Sequence, residues 1–281
     1  DGGAGAEVLL KLENLQASGS FKARGAMNKL RTLDPAAAEA GLITASGGNH
    51  GLAVAWAAHS AGVPATVYLP TSAPPAKAAG LEALGAEVVI EGDVWDDANR
   101  AALKAADARA MTYVHPFADP EVIAGQGTLG LEILEEVPDA DTLLVAIGGG
   151  GLIAGVATAA KAVKPGIRIV GVEPTGAPTL YESLKAGGLV TLAGIETAAG
   201  TLAPRRSMPL NFEMIAAAVD KMALVTDAEM TEAARLLWRE FGLGVELAGA
   251  AAAAALMSGR YTPAPGETVV AIVCGKGTDG Q

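Results

Sequence analysis

The stretch LQASGSFKARGAMNKL (15–30) places a lysine, Lys22, where a helix is expected to start. Ser20 reads as the N-cap, and Ala23, Ala26, Met27 and Leu30 supply the apolar spacing of the helix that follows. Lys22 then faces the positive end of the helix dipole, where acids are favoured and an ammonium is not. A lysine whose charged form is disfavoured can act as a nucleophile or base and can form a Schiff base with an aldehyde cofactor. Taken by itself, the same pattern also fits an exposed surface lysine.

Two glycine-rich turns carry a second kind of chemistry. In TASGGNHGLAVAWAAHSAG (44–62) a strand ends near Ser46, Gly47 and Gly48 make the turn, and a helix begins at about His50 and stops at Gly62. The N–H groups of such a turn point at an anion, with Ser46 and Asn49 adding side-chain hydrogen bonds. An ordinary strand-to-helix turn with an Asx cap has the same appearance. In VAIGGGGLIAGVATAAKAVKPG (145–166) a buried strand runs into Gly148, Gly149, Gly150 and Gly151, and Leu152, Val156, Ala159 and Val163 mark one face of the next helix. Four glycines cost backbone entropy, and a phosphate cradled at a helix start is the reason that fits best. No Gly-Lys-Ser/Thr follows, so this is not a Walker loop, and no ribose-binding acid is placed for a dinucleotide fingerprint.

The elements that must position these residues alternate along the chain. Strands are expected at 7–13, 42–46, 65–70, 86–92, 112–117, 142–148, 168–174 and 268–275, with helices at 50–61, 75–84, 94–107, 120–136 and 228–241. The alternation predicts an α/β fold with parallel sheets flanked by helices, and the continuous apolar strands suit sheets buried on both faces. The alanine-rich run at 248–259 suits a packed helix, and 187–210 reads as a long surface loop.

A chain of 281 residues, 51% hydrophobic and 18% charged, can bury a large core. A net charge of −11 with no basic run argues against nucleic acid or an anionic membrane as partner. No stretch reads as a membrane span. The single cysteine, Cys274, excludes an internal disulfide and fits a reducing, cytoplasmic compartment. The chain opens DGGAGAEVLL without an initiator Met and is expected to begin inside a longer natural chain.

Together KLENLQASGSFKARGAMN, SGGNHG, GGGGLIAG and VCGKGTDG, in that order, resemble the serine/threonine dehydratases, pyridoxal-phosphate enzymes of the tryptophan-synthase-β fold type. HPFADPEVIAGQGTLGLEI (115–133), VGVEP (170–174) and VELAGAAAAAAL (245–256) are similar to family segments too, so the likeness spans nearly the whole chain. The resemblance implies a discontinuous larger cofactor domain (1–43 and 121–281) and a smaller mobile domain (44–120) that closes as a lid. It makes Lys22 the cofactor lysine and the base that takes the Cα proton, with Phe21 packed near the ring. It gives Asn49 the ring hydroxyl, and assigns the substrate carboxylate to Ser46 and the N–H groups around Gly47, Gly48, Asn49 and His50. The cofactor phosphate falls to Gly148–Gly151 and the N–H of Leu152, and the pyridine nitrogen to Cys274. A thiol there, unlike a carboxylate, does not hold the ring nitrogen protonated, which favours prompt loss of a β-leaving group over transamination.

The implied reaction converts a 3-hydroxy amino acid of the serine or threonine type to a 2-oxo acid and ammonia. Gly47 stands where serine racemases of this fold type carry a second serine, which counts against racemisation. Of the family's Glu-Thr-x-Ala-Asp cation segment, ETAAGT (196–201) keeps Glu196 but has Gly200 in the Asp slot, so the match to a divalent-cation site is incomplete. Lys276 stands where a small residue is expected, open to a turn role or one near the cofactor; Arg205 and Arg206 are open to solvent or to a substrate carboxylate. β-Replacement of the cysteine-synthase kind is the alternative within the fold type, although SGGNHG sits on the dehydratase side. A non-catalytic ligand-binding relative is the alternative outside enzymes. The family implies a homodimer or larger, and with the family's N-terminal segment missing and no regulatory domain following, feedback control through an appended domain is not expected.

Overall fold

Residues 5–281 are described by a computed structural model, so the first four residues of the expected domain 1–43 lie outside the described chain. By its internal contacts the chain forms two compact units, one of the chain up to Leu15 together with Gln126–Gln281, the other of Gln16–Gly125. These boundaries differ from the expected 43/44 and 120/121. Helix α1 (Lys22–Thr32) packs against α3 (Asn49–Ala61), and a Cβ on Gly125 would meet Arg24 O at 2.6 Å, so both ends of the segment 16–125 fold together.

The first unit holds a five-stranded, all-parallel sheet in the order β1-β9-β6-β7-β8. Its strands are β1 (Glu7–Leu12), β6 (Thr142–Ala146), β7 (Arg168–Pro174), β8 (Lys221–Val225) and β9 (Thr268–Val273). β8 is absent from the sequence-based expectation, because KMALV is short and has one β-branched residue, Val225. Helix α8 (Thr179–Ala186) precedes the long irregular stretch, and α9 (Pro209–Ala218) ends it, with one 3₁₀ turn at Gly200–Leu202 between them.

The alanine run is α11 (Leu247–Met257), buried from Leu247 through Ala255. Its small side chains answer to close packing: a Cβ on Gly249 would meet Gly275 O at 2.4 Å, just past the end of β9. The neighbouring α10 (Asp227–Phe241) is stopped at both ends by local chemistry, a Thr226–Glu229 capping box and a left-handed Gly242.

The second unit holds a four-stranded parallel sheet, β4-β3-β2-β5, made of β2 (Leu42–Ala45), β3 (Ala65–Leu69), β4 (Glu87–Ile90) and β5 (Thr112–Tyr113). Alternation along β2 and β3 sends Leu42, Val67 and Leu69 to one face, where α3 lies, and Ile43, Ala45 and Tyr68 to the other. That second face is covered by Ala98, Ala102 and Ala106 of α5 (Trp95–Arg109). Fully burying a side chain such as Leu42 contributes about 1.5–3 kcal/mol, so covering both faces accounts for the apolar strands. β5 is two residues long rather than six, because Val114 O is taken by the side chains of Thr44 and His50 and Pro116 offers no N–H to continue the ladder.

Candidate active site

Lys22 is the first residue of α1, as its sequence predicts, but the expected side-chain cap bond from Ser20 is not made. Phe21 already has helical φ/ψ, while Ser20 is extended and its carbonyl takes the Ala23 N–H at 3.3 Å. The Ser20 hydroxyl is buried without a partner among the described residues, as is that of Ser18. Ser18 sits at φ 58°, ψ −3°, a left-handed conformation uncommon for a residue with a Cβ. A turn of that kind immediately before a candidate catalytic lysine is where backbone strain tends to be stored.

The Lys22 amine donates to the Pro116 carbonyl at 2.6 Å and lies 5.0 Å from the centre of the Phe21 ring. Around it are two imidazoles. His50, in the first turn of α3, is buried, and its Nε2 is 2.9 Å from the Val114 carbonyl. Because a carbonyl only accepts, Nε2 carries the proton, and Nδ1 is a buried acceptor without a partner among the described residues. His115 Nδ1 accepts the N–H groups of Phe117 at 3.2 Å and Ala118 at 2.9 Å. Burial, with the Lys22 charge adding to it, pulls His50 down to about 3 and His115 down to about 4, so both rings are neutral.

The first glycine turn follows β2. Ser46 Oγ accepts the Gly48 N–H at 3.3 Å, Gly48 is the N-cap of α3 without a side-chain cap bond, and Asn49 begins the helix. The helix therefore starts one residue earlier than expected. Gly51 matters as much as the two glycines read from the sequence, since a Cβ there would stand 1.8 Å from Ser46 O. The Leu52 N–H is bound to the Gly48 carbonyl, the first intrahelical bond of α3, and the start of a helix at this glycine turn is the kind of place that attracts an anion.

In the other unit, β6 continues to Ile147, whose N–H reaches Val172 O at 2.8 Å, before the four glycines. Gly150 is the N-cap of α7 (Gly151–Val163) at φ 91°, and no side chain caps that helix. A Cβ on Gly148 would meet Thr201 O at 2.7 Å, and one on Gly150 would meet Ile215 Cδ1 at 2.7 Å and Leu180 Cδ1 at 2.9 Å. Those two positions are closed to a side chain. Ser207 Oγ fixes the turn by donating to Gly149 O at 2.9 Å. With Leu152 in its first turn, this uncapped helix start fits a phosphate group.

Glu173, which had no role in the sequence reading, accepts the N–H groups of Leu180 and Tyr181 at 2.8 Å and so seats α8 beside Gly150. Its burial pushes it up to about 7. Cys274 is buried just beyond β9 and donates to Ala248 O at 3.3 Å.

Unit by unit, the expected site residues divide cleanly. Phe21, Lys22, Ser46, Gly47, Gly48, Asn49 and His50 belong to the second unit, and Gly148–Gly151, Leu152 and Cys274 to the first. Glu196 is exposed, and among the described residues no group of three His, Cys, Asp or Glu could hold a metal ion. Lys276 is exposed beside its bridge to Val245, while Arg205 and Arg206 bind Leu192 O and Thr191 Oγ1 across their own loop. No described helix is long and apolar enough to cross a membrane. Sequence reasoning assigned nothing to Ser18, His115 or the Pro116 carbonyl; the one available signal was HPF inside a segment already seen as characteristic.

A family model described as pyridoxal-phosphate dependent enzyme matches residues 1–275. The L-threonine ammonia-lyase of Thermotoga maritima is 40% identical over 275 residues, covering 98% of this chain and 68% of that enzyme. The phenylserine dehydratase of Ralstonia pickettii is 39% identical over 278 residues, covering 98% of this chain and 84% of its own. Maize serine racemase superposes with a TM-score of 0.91 at 34% identity, covering 96% of this chain and 83% of that one.

Proposed function

Because the chain belongs to the pyridoxal-phosphate dependent enzymes, we propose that it is a dehydratase acting on a 3-hydroxy amino acid of the serine or threonine type. The products are a 2-oxo acid and ammonia, the water lost in elimination being regained on hydrolysis. The observation that carries this reading is Lys22 at the mouth of α1, its amine held by a backbone carbonyl rather than left in solvent.

When bound, pyridoxal phosphate supplies an aldehyde for the substrate amine and an electron sink for the pair left at Cα. The residues present fit that group: an uncapped glycine start for the phosphate, a lysine for the aldehyde and a buried thiol for the ring nitrogen. Lys22 would hold the aldehyde, and its Nζ would be the atom that receives the Cα proton. Gly148–Gly151 and the Leu152 N–H would hold the phosphate, Asn49 the ring hydroxyl, Phe21 the ring and Cys274 the ring nitrogen. Ser46 and the N–H groups at the start of α3 would hold the substrate carboxylate and so orient the Cα–H bond toward the base. The lone thiol leads us to place the reaction in a reducing cytoplasm, and the family leads us to expect a homodimer or larger.

The relatives name more than one outcome, and Gly47 bears on the choice. A Cβ there would meet Leu69 Cδ2 and Lys77 Cδ, both at 3.0 Å, so the position offers no acid for the opposite face of the substrate and little room for one. The test is a panel of serine, threonine and β-aryl serines with purified holoenzyme. 2-Oxo acid release, with a visible cofactor band abolished by borohydride, is expected. A thioether amino acid formed on adding a thiol, or D-amino acid without oxo acid, would replace this reading by β-replacement or racemisation.

A further inference from the structure

The geometry points to the turn Val114–Asp119 as the resting place of the Lys22 amine during turnover, with the Pro116 carbonyl as its acceptor and His115 as the residue that positions it. This rests on the reading of Lys22 as cofactor lysine and base. Lys22 Nζ and Pro116 O meet at 2.6 Å although 94 residues separate them in sequence. As a proline, residue 116 offers the site an acceptor and no N–H donor.

The turn is pinned along its whole length. At its start, Val114 O receives both Thr44 Oγ1 at 3.0 Å and His50 Nε2 at 2.9 Å. In the middle, His115 Nδ1 gathers the N–H groups of Phe117 and Ala118, folding the backbone around the carbonyl between them. The ring itself is wedged edge-on, 4.7 Å from the Phe117 centroid and 6.5 Å from that of Tyr113. At its end, Asp119 accepts the Glu121 N–H at 3.0 Å and pairs with Lys29 at 3.0 Å, tying the turn back to α1.

The arrangement answers a specific need. When Nζ takes the Cα proton it becomes an ammonium, while the C–H electron pair stays with the substrate. An ammonium at a helix N-terminus is opposed by the dipole, and a fixed carbonyl oxygen offsets that. The two neighbouring imidazoles are neutral and so add no repulsion. A carbonyl held in one place also keeps the displaced amine from wandering before it rejoins the cofactor.

The test uses holoenzyme and a single turnover with limiting substrate, following the return of the visible band of the cofactor joined to Lys22. His115→Ala is expected to slow that return and kcat about 10-fold or more, with KM nearly unchanged. His115→Asn, whose Oδ1 can accept the same N–H groups, is expected to recover most of the rate. Asp119→Asn, loosening the turn from its other end, should give a smaller slowing of the same kind. A wild-type rate of return in His115→Ala overturns the inference. So does equal slowing in the Ala and Asn variants at wild-type melting temperature. A wild-type protein that shows no band at all overturns instead the cofactor reading, and this inference with it.

Discussion

At the N-terminal edge of the five-stranded sheet, Glu267 takes hydrogen bonds from Thr142 at 2.5 Å, Arg168 at 3.1 Å, the Ala264 N–H at 2.7 Å and Tyr261. Around Lys22, by contrast, the hydroxyls of Ser18 and Ser20 and the Nδ1 of His50 are buried with no partner among the described residues. Both regions bury polar groups, at a cost that only hydrogen bonds offset. Around Glu267 the cost is met inside the chain, which is how a structural network behaves. Around Lys22 unmet polar atoms gather beside a left-handed serine and two neutral histidines, and in a native protein that concentration marks a place where a ligand completes the bonding. The difference separates what holds the fold from what works within it.

The sharpest way to sharpen the contrast is to remove its two centres. Lys22→Ala should lower 2-oxo acid formation by about 10³-fold or more and abolish borohydride-stable labelling, while the denaturation midpoint stays near wild type. Glu267→Ala should do the reverse: about 2–3 kcal/mol less stable by urea denaturation, because Tyr261 and Thr142 lose their acceptor, with kcat/KM of the folded fraction unchanged. If Glu267→Ala lost activity at full stability, the division between the two regions would not stand.

Acid should probe the Lys22 region by a different route. Unfolded, a histidine takes its proton near its ordinary value of 6.5, whereas His50 and His115 in the folded protein refuse it down to about 3 and about 4. Their contribution to stability is therefore complete above about pH 6.5 and is lost as pH falls below it, since the unfolded chain then binds more protons. In His115→Asn the slope of unfolding free energy between pH 6.5 and 5 should be shallower by up to about 1 kcal/mol per pH unit. Equal slopes in the two proteins would mean that His115 is not kept neutral by the fold. The smallest effect belongs to Ser18→Gly, which relieves the φ of 58° and should stabilise by about 0.5–1 kcal/mol in thermal unfolding.

Much of the fold was legible in local pattern. Expected strands and observed ones agree at β1, β2, β3, β4, β6, β7 and β9 to within two residues at each end, and Lys22 does open α1. The misses have reasons. β8 is short with a single β-branched residue, and β5 stops where Val114 O meets the side chains of Thr44 and His50 instead of a backbone N–H of β2. Ser20 has the extended backbone and accepting carbonyl that the sequence led us to expect, but its hydroxyl makes no cap bond, and Phe21 is already helical ahead of Lys22.

What the sequence by itself determined are features written in spacing and steric need: period-two and helical runs, glycines where a Cβ cannot go, and a lysine in a first helical turn. The tertiary structure alone decided that Pro116 O lies against Lys22, that the His50 proton is assigned by the distant Val114 carbonyl, and that Glu173 seats α8 beside Gly150. Hydrogen bonds between residues far apart along the chain leave no periodic trace in it, because their partners are chosen by packing rather than by neighbours.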